Sequence, residues 1–147
     1  MGTRTPTDRL FAMTKRVLVI EDDLLNRMFL CATLEGYGFR VRALDDGRHA
    51  LATAREFKPN LIVTDIQLPH VSGIKVIETL RADPALGETP VLAVTAYVGP
   101  GEERRIRRAG ADDFLPKPVS IRPLMAAIDR LLGPGQPAGH IAPLPST

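Results

Sequence analysis

Arg16-Val17-Leu18-Val19-Ile20-Glu21-Asp22-Asp23 runs through four apolar residues and then turns abruptly acidic. An apolar run of this length without alternation is the pattern of a parallel strand whose two faces are both covered by helices. The same event recurs along the chain. Leu61-Ile62-Val63-Thr64 precedes Asp65, Val91-Leu92-Ala93-Val94 precedes Thr95, and Phe114-Leu115 stands just ahead of Lys117. In open α/β sheets, residues at the carboxyl ends of the strands line the ligand crevice. Asp22, Asp65, Thr95 and Lys117 are therefore expected to converge. Acid, acid, hydroxyl and ammonium together suit a carboxylate that accepts a phosphoryl group beside a divalent metal.

Outward from these runs, strand and helix patterns alternate five times. The first unit is a strand over 16–20 and a helix over about 24–35, with Asp23 as N-cap and Gly36 as stop. Leu25, Met28, Phe29 and Ala32 recur at helical spacing and are expected to face the sheet. A strand over 39–43 follows, then a helix over about 47–56 with Asp46 as N-cap and Pro59 past its end. Next come a strand over 61–64, a loop over 65–71 and a helix over about 72–82. The fourth strand covers 91–94, followed by a Gly99-Pro100-Gly101 loop and a helix running to about 109. A brief strand at 114–115 leads into a helix over 120–132 with Leu124, Ile128 and Leu131 inward. Five such units predict an α/β fold with a doubly wound parallel sheet, right-handed crossovers and helices on both faces.

At 147 residues the chain reads as one domain with a real core, and 44% hydrophobic content is that of a soluble globular protein. No apolar stretch is long enough to span a membrane, and no signal core opens the chain, so the cytoplasm is the expected location. A lone cysteine, Cys31, excludes an internal disulfide and is expected to be a buried thiol. A net charge of +2 does not argue for nucleic acid, and His49, His70 and His140 lack zinc-ligand spacing. Residues 1–14 are expected to form a loose tail before a domain over 15–132. Gly133 to Thr147 hold four prolines and three glycines, too little apolar surface to offset ordering. That tail is too short for a DNA-binding module or an enzyme, so no output domain is expected.

The carboxylates at the first strand end, gathered opposite Asp65, would repel one another unless a cation relieved them. Mg²⁺ suits the set, since it takes one or two carboxylates, keeps several waters and leaves room for phosphate oxygens. Asp22 is the expected principal ligand and Glu21 a ligand through water. Asp65 joins them, and Gln67 offers its backbone carbonyl. Asp65 can form an aspartyl phosphate once a metal orients the donor and neutralises charge. Lys117 supplies a compact ammonium and Thr95 a hydroxyl for phosphate oxygens. The bond between Lys117 and Pro118 is predicted to be cis.

Val19-Ile20-Glu21-Asp22-Asp23, Asp65-Ile66-Gln67-Leu68-Pro69-His70-Val71-Ser72-Gly73, Val94-Thr95-Ala96 and Lys117-Pro118 resemble, in order and spacing, the receiver domain of response regulators in two-component systems. The likeness spans about 16–132 and is greatest to stand-alone single-domain members. It implies a flavodoxin-like fold of strand order 2-1-3-4-5. It also implies that Asp65 receives phosphate from a sensor histidine kinase or histidine phosphotransferase. Glu21 and Asp22 then match the metal-binding acids, Thr95 the switch hydroxyl, Lys117 the phosphate-site lysine and Phe114 the switch aromatic. At that position, Tyr or Phe in the family, Phe114 can rotate inward but has no hydroxyl to bond, and Pro116 removes a backbone donor from the last strand. Gln67 and Tyr97 take the positions that set phosphate lifetime, Tyr97 as a shield against water. On phosphorylation, Thr95 would move toward the phosphate and Phe114 would follow. The readout would fall on the fourth helix, fifth strand and fifth helix, where Arg104, Arg105 and Arg108 offer a docking surface for a downstream protein.

Three other readings fit these residues less well. A pseudo-receiver scaffold that never takes phosphate would not need the complete acid, hydroxyl and lysine set. A phosphatase of the haloacid dehalogenase type needs a second acid two residues after the nucleophile, where Gln67 stands. A flavodoxin-type nucleotide binder needs a Gly-rich loop after the first strand, which is lacking. The kinase, the target and any pairing of the phosphorylated form with a second copy are not written in the sequence.

Overall fold

The structure, a computed structural model, describes residues 14–97 and 99–133. The two predicted tails lie outside the described residues except for Thr14 and Gly133. The element order is β1 (Arg16–Ile20), α1 (Leu24–Gly36), β2 (Arg40–Leu44), a 3₁₀ turn (Gly47–His49), α2 (Ala50–Phe57), β3 (Leu61–Asp65), α3 (Gly73–Ala82), β4 (Val91–Thr95), α4 (Pro100–Ala109), β5 (Asp113–Pro116) and α5 (Ile121–Leu132). All five strands are parallel in the order β2-β1-β3-β4-β5. This is the doubly wound sheet expected.

The pleat divides the core. Leu18, Ile20, Ile62 and Ala93 point to the face covered by α2, α3 and α4, where they meet Ala54, Ile77, Leu80 and Ile106. Val17, Val19, Val63 and Val94 point to the other face, against Leu30 and Leu34 of α1 and Leu124 and Ile128 of α5. Each of these side chains is nearly or fully buried. Burial on both faces is what the uninterrupted apolar runs required.

Several boundaries differ from the sequence reading, each for a local reason. The first turn of the second helix is 3₁₀, because Asp46 accepts from the N–H of Arg48 and tightens it. The helix expected after a Gly99-Pro100-Gly101 loop already begins at Pro100, where a fixed φ suits the first helical position. Gly36 belongs to α1, and the left-handed turn falls two residues later at Gly38, with φ 93°. Asp23 caps α1 as expected, accepting from the N–H of Asn26 at 2.9 Å. Pro116 closes β5, an edge strand, where a missing donor is tolerated. The Lys117–Pro118 bond is cis.

The predicted inward face of α1 is the main correction. Leu25 is 75% exposed, Met28 57% and Phe29 37%, and Ala32 is exposed too. Leu30, Thr33 and Leu34 are buried instead. So many apolar residues ring α1 that periodicity alone selected the wrong stripe. On α5, Leu124 and Ile128 are buried as expected, joined by Ala127, and Leu131 packs at the core's margin. Cys31 is only half buried, not sequestered. Among the described residues no helix is long and apolar enough to cross a membrane.

Candidate active site

Strand register sets the site. Ile20 stands beside Thr64, so the acids after β1 face Asp65, and Asp65 stands beside Val94, one residue before Thr95. The N–H of Lys117 donates to the Thr95 carbonyl at 2.8 Å, which brings the lysine in from the edge. Gly73 abuts the back of β3, where an added Cβ would lie 2.1 Å from the Asp65 carbonyl oxygen. Only a glycine lets α3 start this close to the strand end.

Glu21 and Asp65 are almost fully buried, at 1% and 2% exposure, whereas Asp22 is open to solvent. One oxygen from each of the three carboxylates lies within 4.8 Å of the other two. Lys117 Nζ donates to Asp65 Oδ2 at 2.8 Å and lies 3.0 Å from Glu21 Oε1. The latter contact is an ion pair without hydrogen-bond geometry, and Glu21 Oε1 has no hydrogen-bond partner among the described residues. Glu21 Oε2 accepts from the Asp23 N–H at 3.0 Å, and Asp65 Oδ1 accepts from the Gln67 N–H at 3.1 Å.

The charges are unbalanced. Burial pushes the Glu21 carboxyl above its ordinary pKa; the Asp65 charge adds to this, against relief from the Asp23 N–H and Lys117. Burial pulls the Lys117 ammonium down, but its hydrogen bond to Asp65 and the negative charge of Glu21 beside it outweigh that and hold its pKa above the ordinary lysine value. Three carboxylates against one ammonium leave net negative charge beside a buried oxygen that lacks a donor. That combination fits a hard cation bound by oxygen ligands.

Beside this cluster is a second knot. Thr95 is fully buried, and its hydroxyl oxygen accepts from Gln67 Nε2 at 3.0 Å and from the Tyr97 N–H at 3.2 Å. Gln67 Oε1 in turn accepts from the Ala96 N–H at 3.2 Å. Tyr97 itself is 63% exposed, beside Gly99.

All of the acid, hydroxyl and lysine residues singled out from sequence therefore meet at one sheet end. Phe114 is half buried at the neighbouring edge, with the Arg107 guanidinium 5.4 Å from its ring centre. Arg104, Arg105 and Arg108 are exposed on α4 and pair with none of the site acids, and Arg105 pairs with Glu102 at 3.3 Å. Sequence reasoning missed Arg27, which donates to the carbonyls of Glu21 and Asp22 at 2.9 and 3.2 Å and so fixes the loop that carries the acids. The signal was available, because Arg27 sits one turn into a helix that starts at those acids. Gln67 was expected to bear on phosphate lifetime, but the bonds of its side chain to Thr95 and Ala96 have no cue in the spacing.

Comparison with known proteins agrees with this geometry. The chain is 40% identical over 121 residues to the polar-differentiation response regulator DivK of Brucella ovis, covering 82% of this chain and 98% of that protein. Among solved structures, it resembles the chemotaxis protein CheY4 of Vibrio cholerae, with 28% identity, a TM-score of 0.78, and coverage of 81% and 99% of the two chains. It also resembles the receiver domain of the sensor histidine kinase PA1611 from Pseudomonas aeruginosa PAO1, a structure with a magnesium ion coordinated in the active site cleft. That match has 28% identity, a TM-score of 0.76, and coverage of 82% and 98%. The response regulator receiver domain model matches residues 17–129, and with the strand order and strand-end residues in place, the chain belongs to that family.

Proposed function

We propose that Asp65 is the phosphoacceptor of a Mg²⁺-dependent switch that is loaded by a histidine kinase or histidine phosphotransferase and read by a downstream protein. The contact between Lys117 Nζ and Asp65 Oδ2, inside a cluster of three carboxylates, is the observation that carries this reading. A carboxylate oxygen of Asp65 attacks the phosphorus, and the bond from phosphorus to the donor imidazole nitrogen breaks. The electron pair leaves with the imidazole. Lys117, already on Asp65, follows the developing charge on the phosphoryl oxygens. Asp22, open to solvent, and Asp65 would hold the metal directly and Glu21 through water, with the Gln67 carbonyl completing the protein ligands. The metal supplies charge neutralisation and in-line orientation.

The exposed apolar face of α1 supports the donor assignment. Leu25, Met28 and Phe29 project next to the acidic loop, and Phe29 continues into an open groove with Val119, Ile121 and Pro123. An apolar surface beside a charged site suits a helical protein that must place a phosphohistidine over Asp65. The output surface is read as α4, where Arg104 and Arg108 are exposed. The protein acts as a switch in the cytoplasm and not by turning over an external substrate.

The test is intact mass after incubation with a small acyl-phosphate donor. The wild type with Mg²⁺ gains one phosphate, while the Asp65→Asn variant and the wild type in a chelator do not. A wild type that stays unmodified with Mg²⁺ and with a cognate kinase contradicts the proposal and favours the pseudo-receiver scaffold.

A further inference from the structure

Gln67 bonds at once to the phosphoacceptor and to the buried threonine hydroxyl. Its backbone N–H donates to Asp65 Oδ1, while its carboxamide spans Thr95, the last residue of β4, and Ala96 just after it. The carboxamide orientation is fixed by chemistry. Oε1 accepts from the Ala96 N–H, so a flipped amide would set a donor against a donor. Nε2 is thereby committed to donate to Thr95 Oγ1 at 3.0 Å.

The Thr95 hydroxyl is saturated. It has one proton and two lone pairs. The lone pairs accept from Gln67 Nε2 and from the Tyr97 N–H, and the proton is shared between the Tyr97 carbonyl at 3.1 Å and Gln67 Oε1 at 3.4 Å. Thr95 is fully buried, so a broken bond at this hydroxyl is not replaced freely by water. The hydroxyl cannot turn toward a new oxygen on Asp65 while these partners hold it.

We propose that the Gln67 carboxamide is the latch that keeps Thr95 and the segment after β4 in the unphosphorylated arrangement, and that its release is a required step of the switch. The inference rests on the reading of Asp65 as phosphoacceptor, but the latch is a property of the unphosphorylated chain and is tested there. Gln67 is a positioning residue in this scheme. It sets the gap between two conformations, so that a phosphoryl group must outweigh two hydrogen bonds of the carboxamide before the wall moves.

The experiment is NMR on the full unphosphorylated chain, measuring the Thr95 χ1 rotamer from scalar couplings and the exchange rate of the Ala96 amide. Three proteins are compared: wild type, Gln67→Ala and Gln67→Glu. The wild type is expected to hold one Thr95 rotamer. Gln67→Ala frees it to average over rotamers and speeds Ala96 exchange about fivefold, the equivalent of one hydrogen bond of about 1 kcal/mol. Gln67→Glu keeps an acceptor for Ala96 and sets a carboxylate oxygen against Thr95, which the threonine hydroxyl can meet by donating its own proton. Ala96 therefore stays protected and Thr95 keeps one rotamer, so averaging confined to Gln67→Ala traces the loss to the side-chain bonds and not to general loosening of the loop. A single Thr95 rotamer in Gln67→Ala overturns the latch and leaves the Tyr97 backbone to hold the hydroxyl. So does averaging in wild type, because nothing would then be latched. If Asp65 took no phosphate, these couplings would still be read, so failure of the functional reading is distinguishable from failure of the latch.

Discussion

Two buried carboxylates share one ammonium at the floor of the site, and that imbalance governs its behaviour residue by residue. Lys117 satisfies Asp65 fully and Glu21 only by proximity. A divalent cation would relieve what the lysine does not. Mg²⁺ is therefore expected to raise the stability of the wild type, by about 2.7 kcal/mol at a hundredfold excess over its Kd. Asp22→Ala should lose most of that gain while keeping wild-type stability without metal, since Asp22 is exposed and its side chain supports no element. Thermal unfolding across a Mg²⁺ titration measures both. An equal response in the variant would remove Asp22 from the ligand set. These acids were legible from sequence because each closes an uninterrupted apolar run. The bond from the Gln67 carboxamide to Thr95 was not, because Thr95 is 28 residues away and only the register of β3 on β4 brings the two together.

Among the elements, α1 shows where pattern and structure part. Its apolar residues occupy more than one stripe, and the side that packs is chosen by the direction in which the chain leaves β1 under the Asp23 cap. Leu30 and Leu34 reach the sheet from the later turns, whereas Leu25 and Met28 stand off it. Leu34→Ala should lower stability by about 2–5 kcal/mol, as for a buried leucine. Met28→Ser should change stability by no more than about 0.5 kcal/mol. Paired with Leu25→Ser, it should slow phosphoryl transfer from a protein donor while leaving transfer from a small acyl phosphate unchanged. Denaturant melts and transfer rates separate the two faces. If the double variant took phosphate from both donors at wild-type rates, α1 would not be the docking face. The strands were legible to within a residue or two because burial on both faces writes itself into composition. The helix phase was not, because a helix rich in apolar residues has no unique amphipathic axis.

At the scale of the whole molecule, ion pairs tie elements distant in sequence. Asp83, after α3, binds Arg55 of α2, and this bond holds its carboxyl below its ordinary pKa. A folded-state pKa below the unfolded value means that the stabilisation is present above the unfolded carboxylate range. It is lost as pH falls through the folded value. Asp83→Asn should therefore be less stable than wild type at neutral pH, with the gap closing in acid below about pH 4. Urea midpoints against pH test the sign. Arg81 joins α3 to the far end of the sheet, donating to the carbonyls of Gly87, Thr89 and Gly110 and to the Asp112 carboxylate. On α4, Arg107 likewise reaches the Asp112 carbonyl and the Asp113 carboxylate, whereas Arg104 and Arg108 are exposed and make no such bond among the described residues. Arg104→Ala with Arg108→Ala should weaken binding of a downstream protein without slowing phosphorylation of Asp65; unchanged affinity would exclude α4 as the readout surface.

Identification of the residue that carries the phosphate is the most direct test. An acyl phosphate on an aspartate is reduced by borohydride to the alcohol, which converts that residue to homoserine and marks it for peptide mass mapping. The account predicts a single converted residue, at position 65, and only when Mg²⁺ was present during phosphorylation. Conversion at Asp22 or Asp23 instead, or a phosphorylated chain with position 65 unaltered, would contradict it.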